Sequence, residues 1–362
     1  MGKKKVLHVS TALSWRGGEQ QLAYLLDGLK DEVDQYVLCA KASKMEAFCK
    51  EEGFNYYAQK KRAAFDIAFA MQLKKLCIAL SIDLCHLHDA HAHTFAILAA
   101  IMGNKTPLVL SRRVDFPIKN KWTSQLKYNH SSIKKILCVS DAIKEITAIG
   151  IKDKSKLSTV HSGVDLEKFS TSEGVLRREL GIDNNSFLVG NTSALADHKD
   201  YFTFLDTAAE VLNQAPEIRF VIMGDGPLKK EILAYHKKLK LKEKVIFTGY
   251  RTDIPMVLAD LDVFLITSKT EGLGTSIIDA FAAKVPVVGT AAGGIPELIE
   301  DEKTGILCPV KSVGCLSKAI LSLYHHKEVG LRLVQGATEK VRGFSKAATA
   351  QKTLNHYREL WS

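Results

Sequence analysis

The sequence predicts an α/β protein built of two doubly wound parallel-sheet halves. Short apolar runs alternate with helical segments from end to end, and the series of runs starts afresh near the middle. In the first half the runs are Val6–Ser10, Tyr36–Ala40, Asp83–His88, Pro107–Ser111 and Ile136–Ser140. In the second they are Phe187–Asn191, Arg219–Met223, Lys244–Thr248, Asp262–Ile266 and Val285–Gly289. Helices fall between them, including the apolar-periodic Ile67–Ala79 and Thr94–Met102. A chain of 362 residues, 46% hydrophobic and 25% charged, is long enough for two domains of ordinary size.

Between the two series, Ser162-Gly163-Val164-Asp165 and Phe169-Ser170-Thr171-Ser172 are polar and Gly-containing, which puts a linker near residues 165–182. The expected domains are therefore 1–168 and 169–343, followed by a terminal helix at 344–362 with Leu354, Tyr357 and Leu360 on one side.

Composition excludes several classes. No apolar run reaches the roughly 18 residues of a membrane span. The basic start, Met1-Gly2-Lys3-Lys4-Lys5, leads into a short strand rather than a signal-peptide core, so a secreted protein is not expected. Seven scattered cysteines, without a Cys-x-x-Cys pair, are read as neither a disulfide framework nor a zinc knuckle, which suits a reducing compartment. Net charge is +10, and residues 1–168 hold nearly all of it, with 26 Lys and Arg against 17 Asp and Glu. A basic half of this kind suits a phosphorylated acceptor, an anionic membrane surface or nucleic acid. Aromatics are not interleaved with the basic residues as a stacking platform needs, so no nucleic-acid partner is expected.

The most informative stretch is Thr267 to Glu297. The apolar run Val263–Ile266 enters the turn Glu271-Gly272-Leu273-Gly274-Thr275, which opens a helix carrying Asp279, and Gly293-Gly294-Ile295-Pro296-Glu297 follows. Gly272 and Gly274 let backbone approach a ligand, and the helix start at Thr275 and Ser276 presents unpaired amides to a diphosphate. Asp279, one turn in, can accept from ribose hydroxyls, while Glu271 faces the sugar. These residues read as a nucleotide-sugar site.

Other turns add to it. Trp15-Arg16-Gly17-Gly18-Glu19-Gln20 opens a helix after the first strand, so the amides of Gly17 and Gly18 can meet a phosphate or sugar. Gly224-Asp225-Gly226-Pro227 follows Arg219–Met223, and its glycines at 224 and 226 permit close ligand approach. Thr248-Gly249-Tyr250-Arg251 ends the next strand. In the first half, His86-Leu87-His88-Asp89-Ala90-His91-Ala92-His93 and Ser111-Arg112-Arg113 lie at strand ends, and a guanidinium fork suits an anion.

The stretch from Glu271 to Asp279 resembles the acid, seven residues, acid signature of the retaining glycosyltransferases of family 4, with Asp279 in place of the usual Glu. The resemblance extends to Gly17-Gly18-Glu19, to the His-x-His of His86 and His88, and to Ser162-Gly163-Val164-Asp165 where Asn-Gly-Val-Asp is usual. It also reaches Lys199, the second cation of a pair whose Arg is replaced by Ala194, and Arg113, which stands where many members place a His. It implies a GT-B fold, two Rossmann-like domains facing across a cleft, with the last helix crossing back to the first domain. It also implies a retaining, metal-independent hexosyltransferase that moves a sugar from a nucleoside-diphosphate donor to a glycan or lipid-linked acceptor in lipopolysaccharide or surface-polysaccharide biosynthesis.

On that reading Glu271, His88, Asp89 and Arg113 surround the reaction. Gly17, Gly18, Lys199, Gly224, Gly226, Tyr250, Arg251, Gly272, Leu273, Gly274, Thr275 and Asp279 hold the donor, and no cofactor or metal is expected. The enzyme would be cytoplasmic, peripheral at the inner face of the plasma membrane. Two alternatives remain: a nucleotide-sugar isomerase of the same fold, and a metallohydrolase using the His86–His93 cluster. Asp260-Leu261-Asp262 resembles a manganese-binding Asp-x-Asp but is read as a cap and turn.

Overall fold

Parallel strands covered on both faces by helices must be apolar on both faces, and the central runs of this chain are. In a computed structural model, which describes residues 2–169 and 174–362, these runs form two all-parallel sheets. The chain divides into two compact units, Met1–Gly163 with Lys346–Ser362, and Val164–Ser345. The serines and threonine of the expected linker, Ser170, Thr171 and Ser172, lie outside the described residues, as does Met1.

The first unit runs β1 (Lys5–Ser10), α1 (Gly17–Gly28), β2 (Asp34–Ala40), α2 (Lys44–Glu51), β3 (Asn55–Gln59), α3 (Ile67–Ala79), β4 (Leu84–Leu87), α4 (Ala90–Ile101), β5 (Leu108–Arg112), α5 (Trp122–Tyr128), β6 (Ile133–Cys138), α6 (Asp141–Ala148) and β7 (Leu157–Thr159). Its strand order is β3-β2-β1-β4-β5-β6-β7. The second unit runs α7 (Val175–Leu180), β8 (Leu188–Thr192), α8 (Tyr201–Gln214), β9 (Arg219–Met223), α9 (Lys229–Lys238), β10 (Val245–Gly249), α10 (Ile254–Leu258), β11 (Val263–Ile266), α11 (Thr275–Ala282), β12 (Val287–Thr290), α12 (Ile295–Leu298), β13 (Ile306–Cys308), α13 (Val313–His325) and α14 (Lys327–Val341). Its order is β10-β9-β8-β11-β12-β13.

The last helix, α15 (Lys346–Trp361), belongs to the first unit and packs on α1. Ala350, Leu354 and Tyr357 join Val6, Leu25 and Leu84 in one buried cluster, so the side of the helix carrying Leu354 and Tyr357 is core. At Gly28 of α1 a Cβ would lie 2.6 Å from the Cβ of Ala350, so the two helices meet through small residues.

Both sheets reverse direction once, between β1 and β4 and between β8 and β11. Loops leaving the carboxyl ends of adjacent strands diverge at such a point, which is where open α/β sheets take ligands. The loops so placed are Thr11–Arg16 and His88–Asp89 in the first unit, and Ser193–Lys199 and Thr267–Gly274 in the second.

Cysteine chemistry departs from expectation. Cys308, ending β13, and Cys315, in the first turn of α13, form a disulfide with Cα atoms 5.8 Å apart. The strand-to-helix turn returns the chain on itself within seven residues, a proximity that spacing alone does not reveal. Cys39, Cys49, Cys77, Cys85 and Cys138 are free and buried. No helix among the described residues is long and apolar enough to cross a membrane.

Candidate active site

In the second unit the two switch-point loops interlock. Thr267 donates its hydroxyl to the carbonyls of Asp200 (3.0 Å) and Lys199 (3.2 Å), and the Lys269 amide donates to the His198 carbonyl at 2.7 Å. This brings the Lys199 ammonium onto the Glu271 carboxylate, which also accepts from Ser268 Oγ at 2.9 Å. Both partners are largely withdrawn from solvent, with side chains 15% and 8% exposed. The lysine and the acid, distant in sequence, are thus one charged pair at the carboxyl ends of β8 and β11.

The backbone under Glu271 is held just as closely. Gly293 sits at φ +53° with its Cα against the Glu271 backbone, where a Cβ would lie 2.0 Å from the Glu271 oxygen. The Gly294 amide donates to that same oxygen at 3.1 Å. Only glycine at 293 combines this backbone conformation with this approach.

Gly274, at φ +90°, turns the chain into α11. The amides of Thr275 and Ser276 have no acceptor among the described residues, and Thr275 is exposed. The start of α11 therefore offers free N–H groups and the positive end of its dipole beside the Lys199–Glu271 pair. Leu273 is buried and anchors the turn, while Gly272 is partly exposed. Asp279, one turn further, is partly exposed, and its carboxylate has no hydrogen-bond or ion-pair partner among the described residues; surrounding protein pushes its carboxyl up to about 7.

Gly224 and Gly226 serve a different approach from the one expected. A Cβ on Gly224 would fall 1.9 Å from the Ser193 carbonyl oxygen, and one on Gly226 would fall 2.5 Å from that of Leu195. What comes close is the chain's own backbone, and the contact fixes the loop that delivers Lys199. Tyr250 is 76% exposed, whereas the Arg251 guanidinium is taken up by Asp253 and Glu179 at 2.6–2.9 Å and is not free for a phosphate. Ala194 and His198 are both exposed. Lys269, which sequence reasoning did not single out, pairs with the exposed Asp197 at 2.7 Å on the same loops.

Asp260 accepts the amides of Gly174 (3.0 Å) and Leu176 (2.6 Å), capping α7, and Asp262 binds Arg177 (2.7 Å) and the Leu188 amide (2.8 Å). Both carboxylates are consumed by the fold.

In the first unit, Asp89 is occupied as a cap. It accepts from the amides of His91 and Ala92 at 2.9 Å each, from the Thr11 amide at 2.5 Å and from the Thr11 hydroxyl at 2.7 Å. A carboxylate so bound joins the β1 and β4 loops and is a positioning group rather than a proton carrier.

The eight-residue histidine segment does not converge on one point, although two of its rings join a third in a trio that could hold a metal ion. His91 lies on the outer first turn of α4, and His93 is buried against Tyr128 with Nε2 3.1 Å from the Lys127 carbonyl. His86 and His88 instead meet His8, which sequence reasoning missed. The signal was the parallel pairing of His8 with His86, which puts both on one face of the sheet. His8 Nδ1 and His88 Nε2 are 3.1 Å apart, while His86 lies 2.5 Å from the Tyr357 hydroxyl through Nδ1 and 2.8 Å from Ser111 Oγ through Nε2. Burial drives the His8 ring down to about 3 and holds His86 and His88 well below the usual range, with Arg113 adding to the effect on the latter two. Each ring brings one nitrogen within 4.8 Å of the others, though His8 is already bonded to His88, and His86 to Tyr357 and Ser111.

The two arginines separate clearly. Arg112 is buried, donates to Tyr128 Oη (2.8 Å) and the Phe116 carbonyl, and lies over both rings. Arg113 makes one bond, to the His88 carbonyl at 3.2 Å, and its Nε has no partner among the described residues. It borders a small niche of about 30 Å³, room for about one water, whose polar wall is Gln21, His86, Ser111 and His161 and whose other wall includes Leu25 and Val160. Burial lowers its guanidinium to about 10, so it stays charged at neutral pH. Gly17 and Gly18 open α1 with empty space above them, and Glu19 reaches back to the Arg16 amide at 3.1 Å.

Residues 173–340 match the family described as glycosyl transferases group 1, and residues 15–168 match glycosyltransferase family 4. The Escherichia coli UDP-Gal:alpha-D-GlcNAc-diphosphoundecaprenol alpha-1,3-galactosyltransferase is 25% identical over 338 residues, covering 85% of this chain and 87% of its own. The Campylobacter jejuni N-acetylgalactosamine-N,N'-diacetylbacillosaminyl-diphospho-undecaprenol 4-alpha-N-acetylgalactosaminyltransferase is 23% identical over 299 residues, 79% of each chain. Among solved structures, Anabaena HepE in complex with UDP and glucose superposes with a TM-score of 0.86 at 20% identity, covering 98% of this chain and 100% of that one.

Proposed function

Because this chain belongs to the family 4 glycosyltransferases, of the group 1 type and GT-B fold, we propose that it is a retaining, metal-independent hexosyltransferase. Its donor is a nucleoside-diphosphate sugar and its acceptor a glycan or lipid-linked glycan of lipopolysaccharide or surface polysaccharide. The observation that carries this reading is the grouping, at one switch point, of the Lys199–Glu271 pair, the free amides opening α11 and the unpartnered Asp279.

Each part has a task that its chemistry fits. The Thr275 and Ser276 amides and the Lys199 ammonium take the diphosphate and its growing negative charge. Asp279 accepts from the ribose hydroxyls. Glu271, fixed by Gly293 below and by Ser268 and Lys199 at its carboxylate, accepts from a hydroxyl of the transferred sugar and orients it. The bond from the anomeric carbon to the phosphate oxygen breaks, the acceptor oxygen bonds to that carbon on the same face, and the acceptor proton passes to the departing phosphate oxygen. No protein nucleophile is needed; catalysis is positional and electrostatic.

In the first unit, His88 and Arg113 are proposed to meet the acceptor or the sugar, with Arg113 the guanidinium left free for an anion. Relatives named for undecaprenyl-diphosphate-linked acceptors support the lipid-linked alternative, and the basic first half supports docking on the anionic inner face of the plasma membrane.

A panel of UDP- and GDP-sugars tested by melting shift, then by transfer to glycan acceptors with and without chelator, tests the reading. Transfer with retention that persists in chelator is expected. A donor epimerised without transfer, or activity lost on chelation, would contradict it.

A further inference from the structure

Three consecutive outer helices of the first unit, α3, α4 and α5, contain no Asp or Glu, although each faces solvent along part of its length. Outer helices of a water-soluble layer ordinarily carry acids and bases on the exposed side. Here most of the exposed positions, with Phe65 just before α3, are apolar: Trp122 is 77% exposed, Phe65 72%, Ile78 65%, Ile101 61% and Met71 57%. They are grouped rather than scattered. Phe65, Ile97, Ile101, Trp122 and Leu126 line one open groove, and Met71, Ile78 and Met102 line a second, on helices that pack in sequence. Exposed apolar grooves grouped in this way mark an interaction surface.

Its surroundings are predominantly basic. Residues 60–128 contain 11 Lys and Arg against four acids, Asp66, Asp83, Asp89 and Asp115. Asp66 and Asp89 are turned to backbone amides as helix caps. Lys60 and Arg62 lie five and three positions before Phe65, Lys119 and Lys121 three and one before Trp122, and Lys75 stands on α3 between Met71 and Ile78; all five side chains are exposed.

We propose that the outer face of α3, α4 and α5, with the basic segments 60–62 and 119–121, is the surface by which the protein docks on an anionic phospholipid bilayer. Trp, Phe, Ile and Met enter the boundary between headgroups and acyl chains, and the lysines meet lipid phosphates. Charge decides among occupants. A second copy on this face would set like charges against each other, and a neutral surface would leave the lysines without partners. The inference deepens the membrane docking proposed above by naming its surface, and its test reads no sugar transfer, so it can fail without the enzymatic reading.

Flotation with vesicles of phosphatidylcholine alone, or with about one-third phosphatidylglycerol, is the test, applied to the full chain at low and moderate salt. Wild type is expected to float with the anionic vesicles, less so as salt rises. The triple change Lys75→Glu, Lys119→Glu and Lys121→Glu should weaken this on the order of a hundredfold. The double change Phe65→Ser and Trp122→Ser should remove the binding that survives moderate salt. All five side chains are exposed, so unchanged melting temperatures are expected and certify the variants. A blue shift of tryptophan emission on vesicle binding, absent from Trp122→Phe, is expected too. No flotation of wild type, flotation of folded variants equal to wild type, or a lipid-free dimer dissolved by Trp122→Ser would overturn the proposal.

Discussion

Lys199 and Glu271, separated by 72 residues, form a largely buried ion pair at the point where the sheet of the second unit reverses direction. The pair joins a group suited to a leaving diphosphate with one suited to a sugar hydroxyl, so each holds the other in place before any ligand arrives. Removing one partner leaves the other charged and poorly solvated, which costs about 3 kcal/mol.

Lys199→Ala is therefore expected to lower both stability and transfer. Glu271→Gln keeps the shape and hydrogen bonding of the side chain, and should lower kcat by about 10²–10³ with a smaller change in KM. Steady-state kinetics beside thermal melts checks this. An unchanged kcat in Glu271→Gln would remove that residue from the reaction.

Asp279 makes donor affinity depend on pH. Its carboxyl is raised by burial to about 7 from an ordinary value of 3.8, so the folded protein favours the protonated form. Stability from this group is fully present below pH 3.8 and is lost as pH rises through about 7. Asp279→Asn should accordingly stabilise the free protein at pH 8 by on the order of 1–2 kcal/mol, after discounting for partial exposure, and have little effect at pH 4. Ribose hydroxyls donating to the carboxylate favour its ionised form, so nucleotide affinity should rise between pH 6 and pH 8 in wild type and stay flat in the variant. Calorimetric titration at the two pH values measures this.

The buried histidines of the first unit act with the opposite sign. His8, His86 and His88 are held below the ordinary value of 6.5, chiefly by burial, so the unfolded chain takes up protons first. Their contribution to stability is whole above pH 6.5 and declines as pH falls toward about 3, the value for His8. Melting temperature should fall steeply below pH 6. Tyr357→Phe, which deletes the 2.5 Å partner of His86, should cost about 1–2 kcal/mol at pH 7.5 and loosen α15 in hydrogen exchange.

Gly293→Ala is expected to abolish transfer. Its Cβ would fall 2.0 Å from the Glu271 oxygen at a backbone φ of +53°, so the loop under Glu271 must move. Gly17→Ala, with empty space above it, is the matched control and should fold normally. Equal activity of Gly293→Ala and wild type would show that Glu271 needs no such support.

Much of this architecture was legible in the sequence because central parallel strands are continuous apolar runs. Arg219–Met223 and Ile67–Ala79 fall where periodicity puts them. The strands that periodicity missed, β3, β7 and β13, are all sheet edges; β7 and β13 have three residues each, and β3 is Asn-Tyr-Tyr-Ala-Gln, with little apolar signal. In the site, the turn at Glu271 was visible locally, and the cation at Lys199 only through the resemblance to family 4. His8 was not, because its meaning comes from pairing with His86 across 78 residues. The cap at Asp89 and the ion pairs of Arg251 likewise depend on neighbours that spacing does not show, whereas the cap at Asp260 was read from the sequence.

The most direct test is transfer itself: purified wild type and Glu271→Gln incubated with each nucleotide sugar, a glycan acceptor and chelator, with the product's anomeric configuration read by NMR. Sugar transferred by wild type with retained configuration, and lost in folded Glu271→Gln, is the expected result. Inverted product, or equal turnover by the two proteins, would contradict it.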